Sequence, residues 1–173
     1  MNNDIRSRNH AMTGTVLLMG LVFASVLFPL RSMAALGGDE SSVQNDSAQM
    51  KATRRILAQT ASAYTVHEIT TPYQTVIREY VGPDGKVFGV AWRGPFLPDF
   101  QQIFGSYYNQ FAQAAQSKRE NRSQSQAIRA RRAPLNINQS GLVVHSTGHL
   151  RSYAGQAYIP DMLPAGVSPD DIK

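Results

Sequence analysis

The chain of 173 residues contains no cysteine and carries 17 basic against 12 acidic side chains, a formal charge of +5. Disulfide bridging, thiol catalysis and a lipid-modified N-terminal cysteine are thereby excluded, so a folded domain must rest on its core alone. Six basic residues and one acidic residue crowd into Lys118–Arg132, and the charge describes one segment rather than a basic domain.

Arg6 and Arg8 precede the apolar run "VLLMGLVFASVLFPL" (Val16–Leu30), and "RSMA" follows it. A positive start, an apolar middle and small residues at Ser32 and Ala34 compose a secretory signal, with cleavage expected between Ala34 and Ala35. Pro29 ends the helix ahead of the cut. The fifteen-residue apolar run falls short of the roughly 20 residues a spanning helix needs, which argues against an uncleaved anchor. Residues 1–34 are thus expected to be removed as a signal peptide. Residues 35–173 are expected to form a single exported domain, periplasmic or secreted, with no stable membrane span.

Next, Asp39, Ser41 and Ser42 are cap candidates, and Val43, Met50 and Leu57 recur every seven residues. They predict a short amphipathic helix over about Glu40–Lys51. "SAYTVHEIT", "QTVIREYV" and "KVFGVAWRG" are rich in β-branched and aromatic residues and read as strands. Pro83-Asp84-Gly85 reads as a three-residue hairpin loop that pairs Gly82 with Lys86. In that register Val76, Tyr80, Phe88, Val90 and Trp92 share the core face, with Arg78 the exception. A hairpin centred near Pro72 would set Glu79 opposite about Thr65.

The stretch "GPFLPDFQQIFGSYYNQFAQAAQ" predicts a long helix with Asp99 at its start. Phe100, Ile103, Phe104, Tyr107, Tyr108, Phe111 and Ala115 form its apolar stripe, and Gly105 is expected to allow close packing on the sheet. A flexible basic loop is expected over about 117–140. Two further strands, "LVVHS" and "HLRSYAGQAYI", lead to a proline-containing tail. The order predicts an α+β fold: an antiparallel sheet of about five strands, a three-strand meander plus a C-terminal hairpin, with one long amphipathic helix on a face.

His145 and His149 are the residues most suggestive of chemistry. On one strand, residues four apart lie about 13 Å from each other, too far to share an ion. If Ser146-Thr147-Gly148 is instead a tight loop, the two become cross-strand partners with Cβ atoms about 5 Å apart. That arrangement would hold a metal with a third ligand, for which His67 is the histidine left in the domain. "HEITT" lacks the second histidine of a zinc-protease helix, Thr71 standing in its place. There is no Gly-x-Ser-x-Gly elbow and no phosphate-binding loop. Glu68 and Glu79, the acids within strands, are not directly paired. The basic segment has no interleaved aromatics, so base stacking is unsupported and no nucleic-acid partner is expected.

Several strings carry a resemblance: "AALGGD", "YTVHEI", "REYVGPDGKVFGVAWRGP", "LPDFQQIFGSYY" and "GHLRSYAGQAYIPDMLPAGV". Together, and with the signal peptide, they resemble the exported bacterial family catalogued as domain of unknown function 2844. The likeness covers nearly all of 35–173, least well over Lys118–Ser140. It implies a secreted or periplasmic single-domain protein of a Gram-negative bacterium, and it brings no catalytic residues with it.

The leading expectation is a non-enzymatic binding or envelope-associated module without cofactor, whose partner is an anionic envelope component or a protein. The expected surface joins His149, Arg151 and Tyr153 to the basic-loop arginines Arg129, Arg131 and Arg132. The alternatives are a metal-dependent hydrolase using His145, His149 and His67, or an inhibitor of an envelope enzyme.

Overall fold

The β-branched and aromatic runs of the chain assemble into one antiparallel sheet of seven strands. The computed structural model describes residues 36–57, 63–121, 133–139 and 141–173, all within the unit Arg31–Lys173. Helix α1 (Glu40–Gln49) is followed by β1 (Thr53–Leu57), β2 (Thr65–Thr70), β3 (Val76–Val81) and β4 (Val87–Gly94). Helices α2 (Phe100–Phe104) and α3 (Tyr108–Glu120) come next, then β5 (Leu135–Gln139), β6 (Leu142–His149) and β7 (Ser152–Tyr158). The sheet order is β1-β2-β3-β4-β7-β6-β5.

The α+β expectation therefore holds, with two strands more than the sequence suggested. Both extra strands, β1 ("TRRIL") and β5 ("LNINQ"), lie at the sheet edges and are largely exposed. An edge strand buries little, so its residues need not alternate clearly between apolar and polar. Leu57, expected to continue the α1 stripe, belongs to β1. Of the expected basic loop, Lys118–Glu120 ends α3 and Leu135–Gln139 is β5, while 122–132 lies outside the described residues.

The Pro83-Asp84-Gly85 loop forms as expected. Gly82 N donates to Lys86 O at 2.8 Å, Gly85 N to Gly82 O at 3.0 Å, and Asp84 Oδ1 accepts from Lys86 N at 3.0 Å. Beyond it, however, the ladder slips. Val81 pairs with Val87 but Tyr80 with Gly89, a β-bulge at Phe88. Tyr80 and Phe88 therefore face away from Val90 and Trp92, correcting the shared face inferred from an unbroken register. Likewise β2 and β3 pair His67 with Glu79, and Thr65 with Val81.

Each face of the sheet has its own cover. On one side Ile69, Ile77, Val90, Trp92, Val144 and Ala157 pack against Ile103, Phe104 and Phe111 of α2 and α3 and Val43 of α1. On the other, Val66, Tyr80, Phe88 and Ala91 cluster with Ile172 of the C-terminal tail. The tail is fastened there: Lys173 N donates to Tyr80 Oη at 2.9 Å, and that hydroxyl donates to Lys173 O at 2.8 Å.

Phe100, Phe104 and Phe111 stack closely, Phe104 and Phe111 with ring centroids 4.8 Å apart, as the helical stripe predicts. The helix is not continuous. Asp99 Oδ1 caps α2, accepting from Gln101 N at 2.9 Å and Gln102 N at 3.3 Å. Gly105, at φ +47°, then breaks it into a 3₁₀ turn, Gly105–Tyr107, before α3 resumes. Its role is to turn the chain rather than to seat a straight helix on the sheet.

Candidate functional site

Directly paired residues of an antiparallel sheet point to the same face, so the register can be read as rows across all seven strands. One row is Ile56, His67, Glu79, Val90, Ala157, Val144 and Ile137, on the helix side. The next is Arg55, Glu68, Arg78, Ala91, Gln156, His145 and Asn136, on the opposite side. Six of those seven side chains are polar, although the row runs through the centre of the sheet.

That polar row floors a groove of about 950 Å³ beside the C-terminal tail, at the upper end of the size range of small-molecule sites. The tail covers only the part of this face around Tyr80 and Phe88. The remainder, where Val76, Arg93, Ala154 and Thr147 form a parallel row, stays open. Trp92 and Gly155 complete the lining between them.

Charge divides the groove in two. At the β1–β4 end, Glu68 lies between two guanidinium groups: Arg78 Nε is 3.0 Å from Oε2 and Arg55 Nη2 is 3.5 Å from Oε1. Arg78 Nη1 also donates to Lys173 O at 2.8 Å, which ties the tail to the groove wall. Arg93 is exposed and makes no ion pair among the described residues. Three arginines thus meet one side-chain carboxylate. At the β5–β7 end the polar groups are an imidazole and two amides. His145 Nδ1 lies 3.1 Å from Asn136 Oδ1, and an Nδ1–H donated there leaves Nε2 as an acceptor. Gln156 Nε2 donates to Pro169 O at 3.3 Å.

The residues singled out in the sequence fall elsewhere, or only partly here. Ser146-Thr147-Gly148 is not a loop. Strand β6 continues to His149, which pairs with Ser152, and the chain turns at Leu150-Arg151, with Arg151 at φ +63°. Gly148 continues the strand because its missing side chain clears Tyr153; a Cβ there would lie 2.8 Å from Tyr153 Cα. His145 and His149 thus share one strand and one face, about 13 Å apart by strand rise, not paired across a turn.

His67 is fully buried on the other face, its Nε2 3.0 Å from Glu40 Oε1 of α1. Burial, reinforced by the Arg54 charge, holds its imidazole below the ordinary histidine pKa, and Glu40 opposes this in part. The sheet therefore separates the three histidines proposed as ligands. No group of three His, Cys, Asp or Glu is arranged for a metal among the described residues. Of the expected binding surface, His149 and Arg151 are exposed at the hairpin end and Tyr153 is half-buried. By strand alternation Tyr153 points to the face opposite His149. Arg129, Arg131 and Arg132 lie outside the described residues.

Sequence reading missed Arg55, Arg93, Gln156 and Asn136 as lining one groove with His145. A faint signal was present: Arg78 stood out as a charge on a strand face otherwise read as core.

The fold and the groove define a small α+β protein with one sheet face helix-covered and the other partly open. The family model described as protein of unknown function (DUF2844) matches residues 32–172. The chain belongs to that family. No curated protein and no solved structure matches it. No helix among the described residues is long and apolar enough to cross a membrane.

Proposed function

We propose that this protein is an exported, non-enzymatic binding module that holds its ligand in the groove on the open sheet face. The observation that carries the reading is the row from Arg55 to Asn136, polar at six of its seven positions, across a sheet face left partly uncovered. Polar side chains in mid-sheet forgo the burial that apolar ones would contribute, and their convergence on one concavity is the usual mark of a binding site. Binding without catalysis is favoured by strand alternation: His145 and Ser146 are adjacent on β6 and point to opposite faces, so they do not form a nucleophile–base pair. The charged and apolar segments of residues 1–34 support export.

The test is an amide NMR screen of purified 35–173 against a library of charged and neutral small molecules. Ligands of this module shift Gln156, His145 and Asn136 together, and Ala154→Trp, which fills the groove, abolishes the shifts. Shifts that survive Ala154→Trp in a folded protein would rule the groove out. Export is tested by fusing residues 1–40 to a reporter active only outside the cytoplasm; an inactive fusion would reject it.

A further inference from the structure

Resting on that reading of the groove, we propose that its ligand is an elongated organic carboxylate. The carboxylate sits on Arg93 and a hydroxyl- or amide-bearing far end meets His145 and Asn136. The argument begins with what each cation already holds. Arg55 and Arg78 share Glu68, and Arg78 also binds Lys173 O. Arg93 has no ion pair among the described residues and stands exposed on the open face. Its planar fork of N–H donors matches a carboxylate in two parallel hydrogen bonds. Lining charge of three arginines against the Glu68 side chain makes the groove attractive to an anion and unattractive to a cation.

The rest of the floor sets the ligand's other features. Between the arginine end and the histidine end lie Ala91, Ala154 and Gly155, small residues that leave room for a slender apolar stretch. Two strand spacings, β4 to β7 to β6, and a two-residue offset along β6 separate Arg93 from His145, a backbone distance of about 12 Å. At that far end the polar groups are the His145 imidazole and the amide of Asn136, with no guanidinium or ammonium beside them. A second carboxylate there would meet no cation, whereas a hydroxyl or amide finds both donor and acceptor. The groove is therefore asymmetric along its length, and it orients what it holds.

The experiment uses the purified domain and a matched set of probes: sebacic acid monoamide, its neutral diamide, and the analogue in which a phosphate monoester replaces the carboxylate. Titrations are followed by the Gln156 and Asn136 side-chain amides. The monoamide is expected to bind about tenfold more tightly than the diamide, the scale of a half-exposed charged hydrogen bond. Arg93→Gln should erase that gap while leaving diamide affinity and melting temperature unchanged. Glu68→Gln, which removes the carboxylate competing for Arg78, should tighten the monoamide.

Equal affinity of monoamide and diamide, or a gap that survives Arg93→Gln, would overturn the carboxylate assignment while leaving the groove as a binding site. Tighter binding of the phosphate analogue would overturn it in favour of a phosphorylated ligand. Absence of shifts in the groove with every probe would overturn both this proposal and the groove itself.

Discussion

His67 and Glu79 face each other across β2 and β3, and both are buried on the helix side of the sheet. A buried histidine in mid-sheet makes the helix-side core sensitive to pH. His67 has its pKa lowered by burial first and by Arg54 second. The unfolded chain takes up a proton near pH 6.5 and the native protein resists it to lower pH. The stability from a neutral His67 is thus complete above that value and is lost as pH falls through the depressed native pKa. Melting temperature followed by circular dichroism should drop between about pH 7 and pH 5, and His67→Gln should flatten that drop. Equal slopes in both proteins would clear His67 of responsibility.

Gly155 lets the Trp92 ring lie against the backbone of β7. A Cβ at this position would stand 2.3 Å from Trp92 Cζ2 and 2.6 Å from the His145 carbonyl oxygen, and neither a packed indole nor a strand backbone yields cheaply. Gly155→Ala should cost about 1–3 kcal/mol in urea unfolding, the range for overpacking. Because Trp92 is the sole tryptophan, the same variant should show a red-shifted emission. An unshifted spectrum with full stability would contradict the packing described.

Ile172 closes the second core over Phe88 and Tyr80 and is fully buried. Ile172→Ala should destabilise by about 2–3 kcal/mol, at the low end for such truncations because the tail can relax toward the space. The amide of Lys173, bonded to Tyr80 Oη, should lose hydrogen-exchange protection in the same variant. Retained protection would mean that the hydrogen bond, not Ile172, anchors the tail.

Asp99 Oδ1 receives two of the free amides at the start of α2. Asp99→Ala should cost about 0.5–2 kcal/mol, and Asp99→Asn or Asp99→Ser should recover most of it. Thermal unfolding of the three variants measures both numbers, and a silent Asp99→Ala would assign the start of the helix to packing of Phe100 instead.

Much of this architecture was readable from residue order. The Pro83-Asp84-Gly85 turn and the phenylalanine stripe follow from local rules that tertiary context leaves alone. The edge strands were harder: Thr53–Leu57 presents two arginines and Leu135–Asn138 alternates with asparagine, patterns that fit a loop as well as a strand. The hairpin turn at Leu150-Arg151 was hidden because Gly148 signals a turn by type, whereas here its missing side chain serves an extended strand beside Tyr153. The candidate groove was barely legible, since its floor is a row drawn one residue at a time from seven strands. No window of sequence contains it, and only the pairing register reveals it.

That register has a hinge in its arithmetic. In an unbroken ladder from the Gly82–Lys86 pair, Arg78 would lie opposite Val90 and Arg93 would look the other way, leaving one guanidinium among phenylalanines and the other alone outside. The single supernumerary residue at Phe88 reverses the parity of everything after it, so that Arg78 meets Ala91 and Arg93 meets Val76. Both arginines consequently emerge on the same side. The electrostatic character of the open face therefore depends on one bulged residue of β4: pairing Phe88 into the ladder, with every residue kept, would put the two arginines on opposite faces without changing either.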